Sequence, residues 1–203
     1  KRRFEGFTGE WKEQKLGELG WFGRTYTFSR ASEGQGDCYH IHYGDIHAKF
    51  KGLITKSTRI PSIKTTGSYE FLSDGDIVIA DASEDYIDLG KTVVIDDVNN
   101  RKIVAGLHTF KFTPNEKLGS VFYLYFSQTD LFKNFTARAG TGISVFGLSK
   151  ESLFNMKFYL PSKKEQQKIG SFFRKLDERI AKQEKKVEKL KALKQAYLEE
   201  MFV

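Results

Sequence analysis

The sequence of 203 residues has one cysteine, three prolines and no long apolar run. Cys38 cannot form an internal disulfide, which excludes the disulfide-rich secreted class and predicts a reducing, cytoplasmic environment. The longest uninterrupted apolar run is residues 121–126, much shorter than a bilayer span. No charged and then apolar leader opens the sequence, which begins at Lys1, so we expect a trimmed or partial soluble chain.

Catalytic signatures are scarce too. Each proline stands alone, so the chain lacks both the Asn-Pro-Pro or Asp-Pro-Pro that binds a base for amino-methylation and the Pro-Asp pair of a nuclease site. Residues 90–92 lack the first glycine of a phosphate loop and precede a strand-like stretch. Residues 140–142 lack the third glycine of a dinucleotide fingerprint. We therefore predict that the chain is not an enzyme.

A metal site has weak support. Cys38, His40 and His42 alternate along a predicted strand and so share one face, with His47 close behind. A zinc site usually needs a further spaced pair of ligands, which the sequence does not supply. An isolated cysteine commonly packs as a small core residue, so we predict no metal site.

The C-terminal part of the sequence predicts one long amphipathic helix. Pro161 stops the preceding segment, and Ser162 with Glu165 has the spacing of a capping box. Large side chains then recur at alternating three- and four-residue intervals, as in the seam of a coiled coil, with the polar Gln183 and Lys194 in two seam positions. The large seam residues are Phe173, Leu176, Ile180, Val187, Leu190, Tyr197 and Met201.

Such a helix is too long for its own domain. It spans on the order of 58 Å at 1.5 Å per residue, about twice the width of a small domain. We therefore expect a partner helix to lie along its seam. An ordinary C-terminal helix packed on its own domain is the alternative.

The residues before the helix predict a strand-rich domain. Alternating or continuous apolar residues indicate strands at 39–43, 77–80, 92–95, 107–112 and 156–160. Helical spacing appears at 118–132, and a short helix is expected from Ser149. Strands come first and helices later, so we predict an α+β fold, with a strand-rich domain of residues 1–160 and a long C-terminal coiled-coil-type helix of residues 161–203.

Charge and side-chain chemistry favour a polyanionic ligand. The net charge is +7, divided as +5 over residues 1–64, −3 over 65–161 and +5 over 162–203. Arg and Lys neutralise phosphates, Arg also reads guanine, and Ser and Thr contact several base edges. We predict a DNA-binding set of Arg24, Tyr26, Arg30, Lys49, Lys51, Ser57, Thr58, Arg59, Arg138, Thr141 and Ser144. Ordinary solvated loops are the alternative for any one of them.

Four stretches of the sequence resemble a known family. They are residues 3–18 (RFEGFTGEW, then KLGE), 75–79 (GDIVI), 105–110 (AGLHTF) and 160–180 (LP, then EQQKI and LDERI). The last is the most specific, because it joins a proline stop, an acid-glutamine helix start and a Leu-Asp pair at a set distance. Together they resemble the specificity subunits of type I restriction-modification enzymes over nearly the whole chain.

The resemblance implies one target recognition domain followed by one conserved helix. Such a subunit normally carries two recognition domains, each with a long helix, and the two helices pair antiparallel as a ruler. The chain therefore resembles half a subunit, whose helix partner is an identical copy or a second half. Expected partners are double-stranded DNA, a methyltransferase subunit and a restriction subunit, with no membrane. S-adenosylmethionine and ATP are expected on those subunits, and no cofactor in this chain.

Two other function classes stay open on the sequence alone. In one, the helix is the whole function and the chain is a coiled-coil protein-interaction module without sequence-specific DNA binding. In the other, the chain is a standalone nuclease or methyltransferase, which turnover with magnesium or S-adenosylmethionine would reveal.

Overall fold

The computed structural model describes residues 3–65 and 67–202, and all elements below lie within them. The strands are β1 (Lys12–Lys15), β2 (Gly20–Phe22), β3 (Glu33–Ile41), β4 (Leu53–Ile54), β5 (Ser62–Ile63), β6 (Ile77–Ala80), β7 (Ala82–Ser83), β8 (Thr92–Ile95), β9 (Lys102–Ala105), β10 (Thr109–Pro114), β11 (Phe146–Gly147) and β12 (Lys157–Leu160). The α-helices are α1 (Tyr43–Ala48), α2 (Ser120–Phe126), α3 (Asp130–Ala139), α4 (Lys150–Phe154) and α5 (Lys163–Met201).

The central layer is a five-stranded sheet in the order β2-β10-β6-β8-β4. β6 and β8 are buried along their whole length, as their continuous apolar sequences require. A three-stranded sheet in the order β5-β3-β9 forms a second layer. Two short antiparallel pairs, β1 with β12 and β7 with β11, join the remaining strands.

Apolar side chains form a large buried cluster on each face of the central sheet. Alternate residues of β6 point to opposite faces, so Ile77 and Ile79 enter one cluster while Val78 and Ala80 enter the other. The first cluster includes side chains of α2, α3 and β12. The second includes side chains of α1, β3 and β9. The domain is therefore layered, with the helices α2 and α3 on one side of the central sheet and the three-stranded sheet on the other.

The long helix α5 has 39 residues and begins at the predicted position. The Ser162 hydroxyl accepts the Glu165 N–H at 3.4 Å, which forms one half of the predicted capping box. The other half is replaced, because the Glu165 carboxylate accepts two bonds from the Arg3 guanidinium, at 2.9 and 2.7 Å. A charge-assisted, two-pronged bond is stronger than a bond to one neutral N–H.

The structure confirms the predicted strand-rich domain followed by a long C-terminal helix. Strands 77–80 and 92–95 have the predicted bounds. The prediction of one helix over 118–132 is wrong, because this segment forms two helices, α2 and α3. The break occurs where the Ser127 hydroxyl bonds back to the Leu124 carbonyl and Thr129 caps α3. The strand expected over 39–43 ends at Ile41, where His42 caps α1. None of the described helices is both long and apolar enough to cross a membrane.

Candidate DNA interface and partner helix

Several loops of the domain meet on one surface, which we call the loop face. It comprises residues 28–30, 42–44, 81–85, 106–108 and 140–148. Backbone hydrogen bonds join these loops: the Leu107 N–H donates to the Phe28 carbonyl at 2.9 Å, and the Leu148 N–H donates to the Asp81 carbonyl at 2.7 Å. The Asp81 N–H donates in turn to the His108 carbonyl at 3.1 Å. Residues distant in sequence are thereby held on one surface. Loops positioned in this way by a rigid scaffold are typical of recognition sites.

Two predicted DNA-binding cations lie beside one buried carboxylate. Asp45 is fully buried, and neither of its carboxylate oxygens has a hydrogen-bond partner. Arg30 Nη2 lies 3.7 Å from Asp45 Oδ1, and Lys49 Nζ lies 2.8 Å from the same oxygen, though not aligned as a hydrogen bond. The Arg30 and Lys49 side chains remain 59% and 51% exposed. The carboxylate therefore holds two cations together while leaving both open to a phosphate.

The 140–148 loop brings a second predicted group to the loop face. Thr141 and Ser144 lie in it and are exposed. Arg138 is exposed in the last turn of α3, just before the loop. Gly142 has φ 140, and a Cβ there would collide with the Val145 carbonyl, so the turn requires glycine. The fold thus brings together two segments that the sequence predicts separately, one around Arg30 and one around Arg138.

Three other predicted residues lie in the turn after β4: Ser57, Thr58 and Arg59. The Arg101 guanidinium donates to the Thr58 and Thr55 carbonyls, both at 2.8 Å, and fixes this turn. The Thr58 hydroxyl accepts the Thr55 N–H at 2.9 Å, which gives it a structural role. Ser57 and Arg59 remain exposed.

The last three predicted residues are also separate from the loop face. Lys51 is 86% exposed beside α5, with Nζ 3.4 Å from the Glu184 carboxylate. The Arg24 N–H donates to the Glu70 carboxylate at 3.1 Å, and its side chain is exposed. The Tyr26 hydroxyl accepts the Glu70 N–H at 2.7 Å, which gives Tyr26 a structural role.

Burial shifts the pKa values of two side chains on the loop face, His42 and Asp81. It lowers the pKa of His42 below its usual value, with Asp45 acting in the opposite sense. His42 is therefore mainly neutral at pH 7. Burial also raises the pKa of the Asp81 carboxyl, with the neighbouring His108 opposing the rise. Positive charge at this surface thus comes mainly from Arg30 and from Lys49 beside it, whereas Glu84 and Asp85 add negative charge.

The residues considered for a metal site are dispersed. Among residues 3–65 and 67–202, no three His, Cys, Asp or Glu side chains are grouped so as to hold a metal ion. Cys38 is buried, and His40 is fully buried with Nδ1 3.2 Å from the Phe28 carbonyl. His42 Nδ1 accepts the Gly44 N–H at 3.0 Å and caps α1. These histidines have structural partners.

The first turns of α5 are fixed to the domain by buried polar and close backbone contacts. Gln166 is 1% exposed, and its amide donates to the Lys117 and Pro161 carbonyls, both at 2.9 Å. Its carbonyl accepts the Gly119 N–H at 2.7 Å. One turn later, a Cβ at Gly170 would lie 3.1 Å from a Val121 methyl group, so the glycine permits α5 to approach α2 closely.

Two further contacts set the direction in which α5 leaves the domain. The Arg174 guanidinium makes a two-pronged ion pair with Asp96, at 2.9 and 2.8 Å. The Tyr125 hydroxyl donates to Asp177 at 2.8 Å, and burial together with this bond raises the pKa of Tyr125. The Tyr125 ring also lies 5.2 Å from the ring of the seam residue Phe173. The start of the predicted seam therefore contacts its own domain.

Apart from the Lys51–Glu184 contact, the distal half of α5 projects away from the domain. Every residue from 181 to 202 is exposed, over a length of about 30 Å. The seam residues Val187, Leu190 and Tyr197 are 48%, 57% and 54% exposed. Leu193 and Leu198, 48% and 42% exposed, flank the seam and widen its apolar face. A regular apolar edge that the described part of its own chain leaves exposed is typical of a helix that pairs with another.

Sequence reasoning missed part of this arrangement. Leu193 and Leu198 were visible as apolar residues next to the seam, but the strict heptad pattern passed over them. Gln166 and Arg174 gave no signal of their role, because their partners are distant in sequence. His108 lies in a stretch singled out by the resemblance, yet its place at the centre of the loop face depends on loops that only the fold brings together.

Three solved structures are similar to this fold. The HsdS subunit from Thermoanaerobacter tengcongensis is 18% identical with a TM-score of 0.60, covering 86% of this chain and 39% of that one. The S subunit of a type I restriction-modification system from M. genitalium is 13% identical with a TM-score of 0.59, covering 90% and 42%. A structure on complex assembly and conformational transition of the type I R-M system is 17% identical with a TM-score of 0.60, covering 86% and 40%.

These likenesses establish the fold, and the chain spans only 40%, 39% and 42% of the three matched chains. No curated protein matches the sequence. The family model described as the type I restriction modification DNA specificity domain matches residues 8–192, nearly the whole chain. The chain therefore belongs to the type I restriction modification DNA specificity domain family.

Proposed function

We propose that this chain reads one half of a bipartite DNA target through its loop face and holds that half at a set distance from the other through α5. One observation carries the proposal: a member of a DNA specificity family is divided into a domain with a loop face and a helix with an exposed edge. The domain presents a loop face with Arg30, Thr141 and Ser144, while the distal part of α5 presents an exposed heptad edge. A recognition surface and a pairing helix are the two parts that such a function needs.

In this proposal the cations supply affinity for DNA, and the polar loop residues distinguish its bases. Arg30 and Lys49, held by Asp45, are placed to contact phosphates of the DNA backbone. The exposed Thr141 and Ser144 are placed to contact base edges, because their loop bends sharply at Gly142. Arg138 adds a further cation at the edge of the same surface.

The α5 helix pairs with a second such helix in this proposal. If the partner is an identical copy, two-fold symmetry gives an interrupted palindrome as the target. If the partner is a different half, the target is asymmetric. The paired chain directs a methyltransferase subunit and a restriction subunit to the DNA in the cytoplasm. S-adenosylmethionine and ATP bind those subunits, and this chain binds neither.

A selection experiment tests the reading function. A library of random 30-base-pair duplexes would be bound to the pure chain through three rounds and sequenced, and affinity for the enriched duplex would then be measured from 50 to 200 mM salt. We expect one motif to be enriched and affinity to fall steeply with salt, because phosphate contacts release counterions. Binding without any enriched motif would instead support a coiled-coil interaction module, whose function lies in the exposed edge of α5.

A further inference from the structure

His108 occupies the centre of the loop face. Its neighbour in sequence, Leu107, is bonded to the 28–30 loop, and its own carbonyl accepts the Asp81 N–H at 3.1 Å. Asp81 is bonded in turn to Leu148 of the 140–148 loop. His108 therefore lies between the two segments, around Arg30 and around Thr141, that the sequence independently predicts to contact DNA.

The backbone and the ring of His108 are both held in place. Its φ is 54, in the left-handed region that few residues other than glycine adopt, although histidine is among those that do. The edge of its ring meets the Tyr43 ring at a centroid distance of 5.2 Å and an angle of 82°. His108 Nδ1 lies 3.2 Å from Asp81 Oδ1. An ionised carboxylate only accepts hydrogen bonds, so when Asp81 is ionised Nδ1 is the protonated nitrogen and donates to it.

The other ring nitrogen, Nε2, has no hydrogen-bond partner among the residues that the structure describes. The His108 side chain is 49% exposed. In the neutral ring, with Nδ1 protonated, Nε2 is a hydrogen-bond acceptor. In the major groove, the donors are the exocyclic amino groups of adenine and cytosine.

We propose that His108 Nε2 accepts a hydrogen bond from the exocyclic amino group of an adenine or a cytosine in the bound DNA, with Asp81 as the positioning residue that fixes the ring. This inference rests on the proposed DNA-reading function and deepens it, because it names one reading residue and the chemical group that it reads. Asp81 does not touch the base. It acts by holding the Nδ1 proton, and hence the acceptor at Nε2, in one orientation.

The test uses the duplex selection described above, at pH 8, with His108→Gly and Asp81→Ala. Glycine accepts the left-handed backbone without strain, so His108→Gly should fold, and its melting temperature is measured to account for the lost bond to Asp81. The unsubstituted chain should prefer one base pair, in one orientation, at the position read by His108, because each type of pair presents its single major-groove amino group at a different place. His108→Gly should lose the preference at that one position, keep the others, and bind the original motif about tenfold more weakly, the range of a single hydrogen bond. Asp81→Ala should weaken the same preference by a smaller factor.

Each other outcome has a distinct meaning. Unchanged preference at every position in His108→Gly would overturn the assignment. So would a uniform loss of affinity together with a smaller salt slope, because that is the signature of a phosphate contact. If His108→Gly fails to fold, Asp81→Ala carries the test, and an unaltered motif in that variant overturns the proposal. If the unsubstituted chain enriches no motif at all, the reading function itself fails, which is a different result from a motif that persists without His108.

Discussion

Replacing Val187 and Leu190 with asparagine removes two seam residues from the part of α5 in which every described residue is exposed. Burying such a side chain completely contributes about 1.5–3 kcal/mol. Because Val187 is 48% exposed and Leu190 57% exposed, about half of that value, roughly 1 kcal/mol each, is still available to a partner helix. In a dimer of identical chains both helices are changed, so the loss is about 4 kcal/mol, or close to a thousandfold in the dissociation constant.

The measurement is the dissociation constant of the dimer, obtained by sedimentation velocity over a range of chain concentrations. A matched control carries Lys185→Asn and Ala192→Asn, which place the same residue type on the helix away from the seam. Urea unfolding followed by tryptophan fluorescence reports on the domain alone, because Trp11 and Trp21 both lie in it. We expect the domain transition to be unchanged in both variants and the dimer to be lost only in the seam variant.

Two results would refute this reasoning. Equal dissociation constants for the seam and control variants would show that the exposed edge of α5 is not the interface between copies. A domain transition that falls with the seam variant would show that the distal helix packs on the domain in solution.

Three further predictions concern the domain. Gln166→Ala leaves three backbone groups without their partner, so we expect the free energy of urea unfolding to fall by about 2–4 kcal/mol; a loss below 1 kcal/mol would mean that water replaces the amide. Arg138→Ala should reduce the slope of log affinity against log salt by about 0.9, with Lys157→Ala on β12 as the control, and an unchanged slope would place Arg138 outside the interface. Burial raises the pKa of Asp81, so its ionised form destabilises the fold; the stability advantage of Asp81→Asn should grow as pH rises from the ordinary carboxyl value of about 4 and then level off above the raised value. An advantage that shrinks toward neutral pH would contradict that sign.

Local sequence patterns predicted two kinds of element: strands that are buried on both faces, and a helix start that is fixed by local contacts. The continuous apolar runs at 77–80 and 92–95 formed strands with the predicted bounds, because such runs are stable only between two covered faces. The proline stop, the Ser162 cap and the heptad spacing placed the start of α5. The family match confirms the predicted resemblance to the specificity subunits of type I restriction-modification enzymes. The named DNA-binding and helix-pairing residues remain predictions.

Where a side chain had two possible partners, the sequence pattern was a poor guide. Glu165 has the spacing of a capping residue, yet it bonds to Arg3, which lies 162 positions away. The apolar spacing at 118–132 continues through a break, because the hydroxyls of Ser127 and Thr129 bond to nearby backbone carbonyls and an N–H. Periodicity records which face of a helix is apolar, but it does not record such local competition for backbone groups.

A buried sheet followed by a long helix with an apolar edge could be predicted from the order of residues, because burial and helical periodicity are local patterns along the chain. The folded chain was needed to show that Arg30, His108 and Thr141 share one surface and that the residues of α5 from 181 to 202 are exposed. Both facts depend on contacts between residues far apart in sequence. The energy of such a contact depends on the distance between groups in space, which the spacing of residues along the chain does not specify.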